Sequence, residues 1–362
     1  MNIIVEPSRE LITISIFDHS ILKTKKTINS DNFFTKENTY QNIQSWIHEE
    51  LADFNEKESH LALFIQYGGH FFKHVETLDL SLINRFHKLM SINPSYTLFY
   101  LAFLDRILKD WLIQHKTVYF GTGFFNDLPE HEKIYASSLS NDLPVSLLRS
   151  GYHGVFHKYA GEFLSKNDKI ISIVLDQKTT ICGIESRKPQ NISLGATPLE
   201  GIMGERSCGD LDPGIVFNLM ETNNLSIYKI DDMLKNNSGF YGLTGLDYSI
   251  PNILSHYDIN PKVQLAFDIY LSQIKKYIGE SILVLDGLTH IVISGPYAIQ
   301  LESIIYKLLK DLSFLDINLK MLPWDYFTNK PTLITNSNSQ ISAYVNSLSL
   351  SEIINQNLLE SK

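Results

Sequence analysis

Cysteine is scarce in this chain of 362 residues: Cys182 and Cys208 are the only two. Two isolated thiols cannot build a disulfide framework or a four-thiolate zinc site, and they fit a reducing, cytoplasmic setting; whether they pair is left open by their spacing. Long apolar runs are missing as well. The stretch 98–104 is interrupted by Tyr100 and closed by Asp105, well short of the roughly 18 residues of a membrane span. The opening MNIIVEPSRE has no basic start and no long apolar stretch, so no secretion signal is expected. Positive charge is in deficit, with 31 Lys+Arg against 40 Asp+Glu, a balance of −9. Nucleic acid and anionic membranes both require a positive face, so neither is expected as a partner. Lys23-Thr24-Lys25-Lys26 is too short to supply one.

What is present is ordinary globular material, 44% hydrophobic and 20% charged, in a length that predicts two domains with sizeable cores. Two β-rich runs, 3–5 and 11–17, bracket the polar turn Glu6-Pro7-Ser8-Arg9-Glu10 and read as a hairpin. Ile43, Trp46, Ile47 and Leu51 are spaced as one helix face over 40–54. Strand-like runs at 61–67 and 117–120 alternate with helical sequence at 80–90 and 98–112, which predicts an α/β layer architecture. At Gly151 the order restarts. A helix over 153–164 leads to a second hairpin, 170–175 and 179–184, around Asp176-Gln177-Lys178. A long helix follows at 263–278, then a short buried strand at 291–293 and helices at 300–309 and 339–359. Hairpin-first halves suggest a duplicated fold, although no sequence repeat is detectable. The expected domains are 1–150, completed by a C-terminal helix in 339–362, and 151–338.

The middle of the chain is more specific. Gly151-Tyr152-His153-Gly154-Val155-Phe156-His157-Lys158-Tyr159 resembles the GFHGTSHKYV segment of acetate kinases. In family order and spacing follow Gly195-Ala196-Thr197-Pro198-Leu199-Glu200-Gly201 (GFTPLEG), Gly209-Asp210-Leu211-Asp212-Pro213-Gly214 (GDLDP), Ser238-Gly239-Phe240-Tyr241-Gly242-Leu243-Thr244-Gly245 (SGLxGxSG) and Ile274-Lys275-Lys276-Tyr277-Ile278-Gly279 (IKKYIG). These matches span about 151–294. In the first 150 residues the likeness is thinner: the hairpin, Tyr67-Gly68-Gly69, Asn93-Pro94 and 119–124. The resemblance implies the duplicated ribonuclease-H-like fold of actin, sugar kinases and heat-shock chaperone ATPases, with two domains around a cleft. It also implies a homodimer and phosphoryl transfer from ATP to acetate.

Phosphoryl transfer needs cations at the moving group, carboxylates for magnesium and backbone N–H groups around the phosphates. Against the family pattern, most of these are replaced. Glu6-Pro7-Ser8-Arg9-Glu10 stands at the Asn-x-Gly-Ser-Ser-Ser phosphate loop, where Pro7 has no N–H to give. Phe64 stands at a charge-stabilising arginine, and its ordinary role is that of a core aromatic in a buried strand. Gly121 stands at the catalytic aspartate of FDTAFH. Thr335-Asn336-Ser337-Asn338 stands at TNEE, which holds a magnesium-associated glutamate. The second phosphate loop, HLGxGxS, is here 174–179, with Asp176 in its turn and Lys178 as an exposed turn lysine. The adenosine loop GGIGEN has become Ser294-Gly295-Pro296-Tyr297-Ala298-Ile299.

The residues expected to keep a catalytic role are His153, which matches the family histidine on the transferring phosphoryl group, and Arg206. Arg206 matches the second catalytic arginine if a compensated gap is allowed; without that gap Ser207 takes the position. His153 and His157 are four apart and would share a helix face, but lack a third metal ligand nearby, so no metal site is assigned. Tyr152 and Pro198, with Gln66 and Ser91 in place of two aliphatic positions, are the expected substrate-pocket residues. Gly295, Asn336 and Lys178 are the expected nucleotide contacts. Losing one transition-state arginine in phosphoryl transfer costs about 10³- to 10⁵-fold. The expectation is therefore an acetate-kinase-fold protein that is catalytically degenerate and keeps a binding or regulatory role, with an unidentified protein partner. The alternative is an active short-chain acyl kinase with a rearranged site, using magnesium and ATP.

Overall fold

The computed structural model describes residues 1–30, 39–51, 54–91, 94–136, 148–327 and 329–361; of residues 39–42, 44, 91, 94 and 95 the backbone alone is described. The chain divides into two compact units, residues 1–126 with 349–362, and residues 127–348.

In the first unit, β1 (Asn2–Pro7), β2 (Leu11–Asp18) and β3 (Ile21–Asn29) form an antiparallel meander. Ser8 closes the first turn, its N–H donating to Leu11 O at 2.7 Å and its Oγ accepting from Leu11 N at 3.0 Å. β4 (His60–Ile65) pairs parallel with β1, β6 (His115–Phe120) pairs parallel with β4, and β5 (Val75–Thr77) adds an antiparallel edge against β6. The order is β3-β2-β1-β4-β6-β5. Ile3, Ile4 and Val5 are buried on both faces of the sheet, as a central strand flanked by helices requires. Phe103, Leu104 and Ile107 of the Pro94–Asp110 helix join Ile3, Val5, Leu61 and Leu63 in the core. The Leu350–Glu360 helix belongs to this unit. Its Asn355 accepts from Asn2 Nδ2 at 2.8 Å and donates to His19 O at 2.7 Å.

The second unit repeats the plan. β7 (Lys169–Val174), β8 (Thr180–Glu185) and β9 (Lys188–Ile192) form the meander; β10 (His290–Ser294) and β12 (Ser342–Val345) extend it in parallel, and β11 (Thr332–Leu333) is the antiparallel edge. Read from β9, the order is β9-β8-β7-β10-β12-β11, strand for strand that of the first unit. Duplication is therefore visible in the pairing although the sequence halves share no repeat. The Pro261–Val284 helix buries Phe267, Tyr270, Leu271 and Ile274 against this sheet.

One expected element is corrected. Residues 339–359 are not a single helix: 342–345 is a strand that buries Ala343 and Val345, and the helix begins only at Leu350. A capping box fixes that start, with Ser349 Oγ accepting from Glu352 N at 3.4 Å and Glu352 Oε2 accepting from Ser349 N at 2.7 Å. In open α/β sheets ligands meet the loops that follow the carboxyl ends of parallel strands. Those loops here follow β1, β4 and β6 in one unit, and β7, β10 and β12 in the other.

Candidate functional site

In the second unit, His153 stands immediately before the Gly154–Phe163 helix in left-handed conformation, φ 60° and ψ 25°. That turn aims its imidazole at the end of the β7–β8 hairpin. Nδ1 lies 2.9 Å from Thr180 Oγ1, Nε2 lies 3.2 Å from Asp176 Oδ2, and the side chain is only 10% exposed. Thr180 Oγ1 also meets His157 Nε2 at 2.9 Å, and His157 Nδ1 meets Ser172 Oγ at 2.9 Å. His157 is fully buried, and burial first, then the neighbouring His153, hold its pKa well below the usual 6.5. The two histidines are thus joined through one threonine hydroxyl, not presented as a pair on a helix face. Among the described residues no group of three His, Cys, Asp or Glu is placed to hold a metal ion.

The neighbouring loops are bonded to one another. Leu175 N donates to Ser294 O at 2.8 Å and Tyr297 N to Leu175 O at 3.1 Å. Gly295, at φ +102°, lets the strands approach: a Cβ there would stand 2.4 Å from Leu175 O. Tyr297 Oη donates to Glu205 Oε1 at 2.8 Å, Ile250 N reaches the same oxygen at 3.0 Å, and Glu205 N donates to Gln177 O at 2.9 Å. Lys178 is not the exposed lysine its turn position suggested. Its Nζ is buried without a hydrogen-bond partner, and burial lowers its pKa to about 8 against the opposing fields of Cys208, Asp210 and Glu200. Cys182 and Cys208 are both free thiols.

Arg206 is partly exposed and has intramolecular partners. Its guanidinium pairs with Asp247 Oδ1 at 2.5 Å, donates to Asn236 O at 2.8 Å and lies 4.4 Å from the centre of the Tyr241 ring. Asn336 is a structural residue of its turn: Nδ2 donates to Leu319 O at 3.0 Å and N to Asn318 O at 2.7 Å. Tyr152 is half-buried and Pro198 is exposed. Beside Pro198, Glu200 accepts from Arg149 Nη2 at 2.9 Å and from the Tyr135 hydroxyl, so this loop is held by an internal ion pair.

In the first unit the two positions expected to carry charge are packed together as an apolar contact. Phe64, expected as a core aromatic of a buried strand, is half-buried in β4 and lies over Gly121 just past β6. A Cβ at Gly121 would stand 2.7 Å from Gln66 O and 3.2 Å from Phe64 Cζ. Gln66 itself is exposed, and the side chain of Ser91 lies outside the described residues, as does Asn93. The turn after β1 is tethered by Tyr100, whose Oη donates to Pro7 O at 2.8 Å. Burial raises the pKa of Glu6, opposed by Lys25.

Asp176 as the partner of His153, and Glu205 and Tyr297 as a linked pair, were not foreseen. The acidic residue in a phosphate-loop position was visible in the sequence, but its partner, 23 residues away, is brought to it only by the fold.

Two copies of one six-stranded α/β plan define a duplicated kinase-type architecture, and solved structures carry it. The chain superposes on Porphyromonas gingivalis acetate kinase with a TM-score of 0.84 at 19% identity, covering 99% of this chain and 98% of that one. For the Francisella tularensis propionate kinase the values are 0.82 and 16%, with 98% of each chain covered. The sequence profile of the Acetokinase family matches residues 11–354, and the chain belongs to that family. Among curated relatives, Acetivibrio thermocellus acetate kinase is 27% identical over 324 residues, 84% of this chain and 80% of that protein. Halothermothrix orenii acetate kinase is 31% identical over 212 residues, 55% of this chain and 52% of its own length, so here the chain spans about half of the relative. No helix among the described residues is long and apolar enough to cross a membrane.

Proposed function

We propose that this acetokinase-family chain has lost most or all phosphoryl transfer and serves as a binding or regulatory partner. The observation that carries the reading is Gly121: a side chain there would meet the Gln66 carbonyl and the Phe64 ring, so the position expected to hold an aspartate has no room for one. The residues present do not fit a magnesium nucleotide. Gly121, Ser337 and Asn338 offer no carboxylate to a hard cation, Pro7 has no N–H for a phosphate, and Glu6 adds negative charge beside it. His153, expected to keep a catalytic role, is engaged by the carboxylate of Asp176, while Arg206 forms an exposed ion pair with Asp247.

Purified protein incubated with magnesium, ATP and either acetate or propionate, with hydroxylamine trapping, should yield no acyl hydroxamate above an enzyme-free control. Turnover in the kinase range of about 1–100 s⁻¹ would overturn the reading and establish a working acyl kinase instead.

A second copy of the chain is the proposed partner. The Pro213–Asn223 helix buries none of its residues: Ile215, Met220 and Phe217 (64% exposed) stand in solvent, as do Ile227 and Tyr228 (84%) at the start of the next helix. Clustered apolar exposure of this kind marks an association face. Sedimentation should give a dimer, and Phe217→Asp should shift it toward monomer; a wild-type monomer at micromolar concentration would contradict the assignment.

A further inference from the structure

His153 has no nitrogen to offer an incoming ligand, and the reason is a proton count. Asp176 accepts at Nε2, so Nε2 carries a proton. In the neutral ring Nδ1 is then an acceptor and takes the Thr180 hydroxyl proton. Thr180 Oγ1, having donated, accepts from His157 Nε2–H, and His157 Nδ1 accepts from Ser172 Oγ–H. Each donor in the row meets one acceptor. With both rings neutral, this count makes both histidines Nε2–H tautomers, and the row ends on the solvent side at Asp176, whose side chain is 30% exposed.

We propose that Asp176 is an internal ligand of His153: an autoinhibitory carboxylate occupying the place where an external oxyanion would meet the imidazole at the start of the Gly154–Phe163 helix. Three features fit this role. Asp176 Oδ1 is fixed by its own turn, accepting from Gln177 N at 2.7 Å, which holds Oδ2 toward His153. His153 stands at the N-terminal end of a ten-residue helix, where negative charge is favoured, and its side chain makes no capping bond to that helix. The charged or titratable groups facing the imidazole are Asp176 and, through Thr180, His157, with Lys178 in the same turn as Asp176. An oxyanion approaching now meets a like charge first. The inference rests on the reading of a phosphotransfer-deficient chain and supplies a physical cause for the silence of His153.

The test uses the full chain and inorganic phosphate, followed by calorimetry and by phosphorus NMR line broadening. Removing one like charge at about 4 Å should tighten phosphate binding by at least about fivefold in Asp176→Asn, and further in Asp176→Gly, which also clears the carboxamide. Adding His153→Gln to Asp176→Gly should cancel the gain. Long-range proton–nitrogen NMR of the wild type, which requires no variant, should show both His153 and His157 protonated on Nε2. Unchanged phosphate affinity in Asp176→Gly, or a His153 ring with Nε2 unprotonated, would overturn the proposal. Neither measurement involves turnover. Acyl phosphate formation by the wild type would count against the functional reading alone.

Discussion

The two units share one strand order but differ in what stands at the positions where the family resemblance puts its chemistry. In the first, the positions that the resemblance pairs with an arginine and an aspartate hold an apolar contact, Phe64 over Gly121, at the carboxyl ends of β4 and β6. In the second, polar groups remain but satisfy one another: Asp176 with His153, and Glu205 with Tyr297. A filled volume and an internal pair differ in what their reversal requires. An aspartate cannot enter at Gly121 without moving a backbone carbonyl, whereas the carboxylate on His153 can be removed by one substitution.

That contrast can be broken most sharply at Gly121. Gly121→Ala should destabilise the protein by about 1–3 kcal/mol, and Gly121→Asp by at least as much, in thermal or denaturant unfolding. Phe64→Ala in the same chain should recover only part of this, because the Gln66 carbonyl remains the nearest atom. Full tolerance of Gly121→Asp would show that the first unit is not repacked.

The second unit should respond through polar satisfaction. His157→Ala strands Ser172 in the interior, leaves Thr180 with His153 alone, and should cost about 1–3 kcal/mol. The wild type should also be acid-sensitive. In the fold the His157 pKa is held well below 6.5 by burial and His153, whereas the unfolded imidazole binds a proton from about 6.5 downward. Stability is therefore full above pH 6.5 and falls as pH drops below it, by at most about 1.4 kcal/mol per pH unit from this group. Denaturant midpoints at pH 7 and 5.5, compared with those of His157→Gln, isolate that slope; an identical slope in the variant would contradict it.

The smallest effect is expected at Glu6. Its pKa is raised above 4.5 by burial, so the folded chain holds the proton more tightly than the unfolded one. The ionised form costs stability at neutral pH, and the cost fades as pH falls through the raised value. Glu6→Gln should accordingly raise the melting temperature at pH 7 and make little difference near pH 4. A lowered melting temperature at pH 7 would show that the ionised carboxylate has a favourable partner.

The hairpins that open each unit were legible because apolar β-branched runs bracket short polar turns. β3 was not, since its Lys23, Lys25 and Lys26 give a charged edge with little apolar patterning, as sheet edges commonly have. β12 was hidden inside an apparently helical tail, although Ser349 followed three residues later by Glu352 marks where the helix begins. At the site, absences could be read directly: a glycine, a phenylalanine and a proline state what they cannot do. Occupation could not be read. That Arg206 belongs to Asp247 and Tyr241, that Lys178 is buried, and that Asp176 reaches His153 all depend on chain segments brought together by the second sheet and the loops around it.

If the proposed reading holds, the wild-type chain has too few groups to ligate a triphosphate with its metal, and titration with magnesium and ATP in a calorimeter decides the point. No saturable heat is expected up to millimolar ligand. A one-site isotherm in the micromolar range, abolished by omitting magnesium, would contradict it.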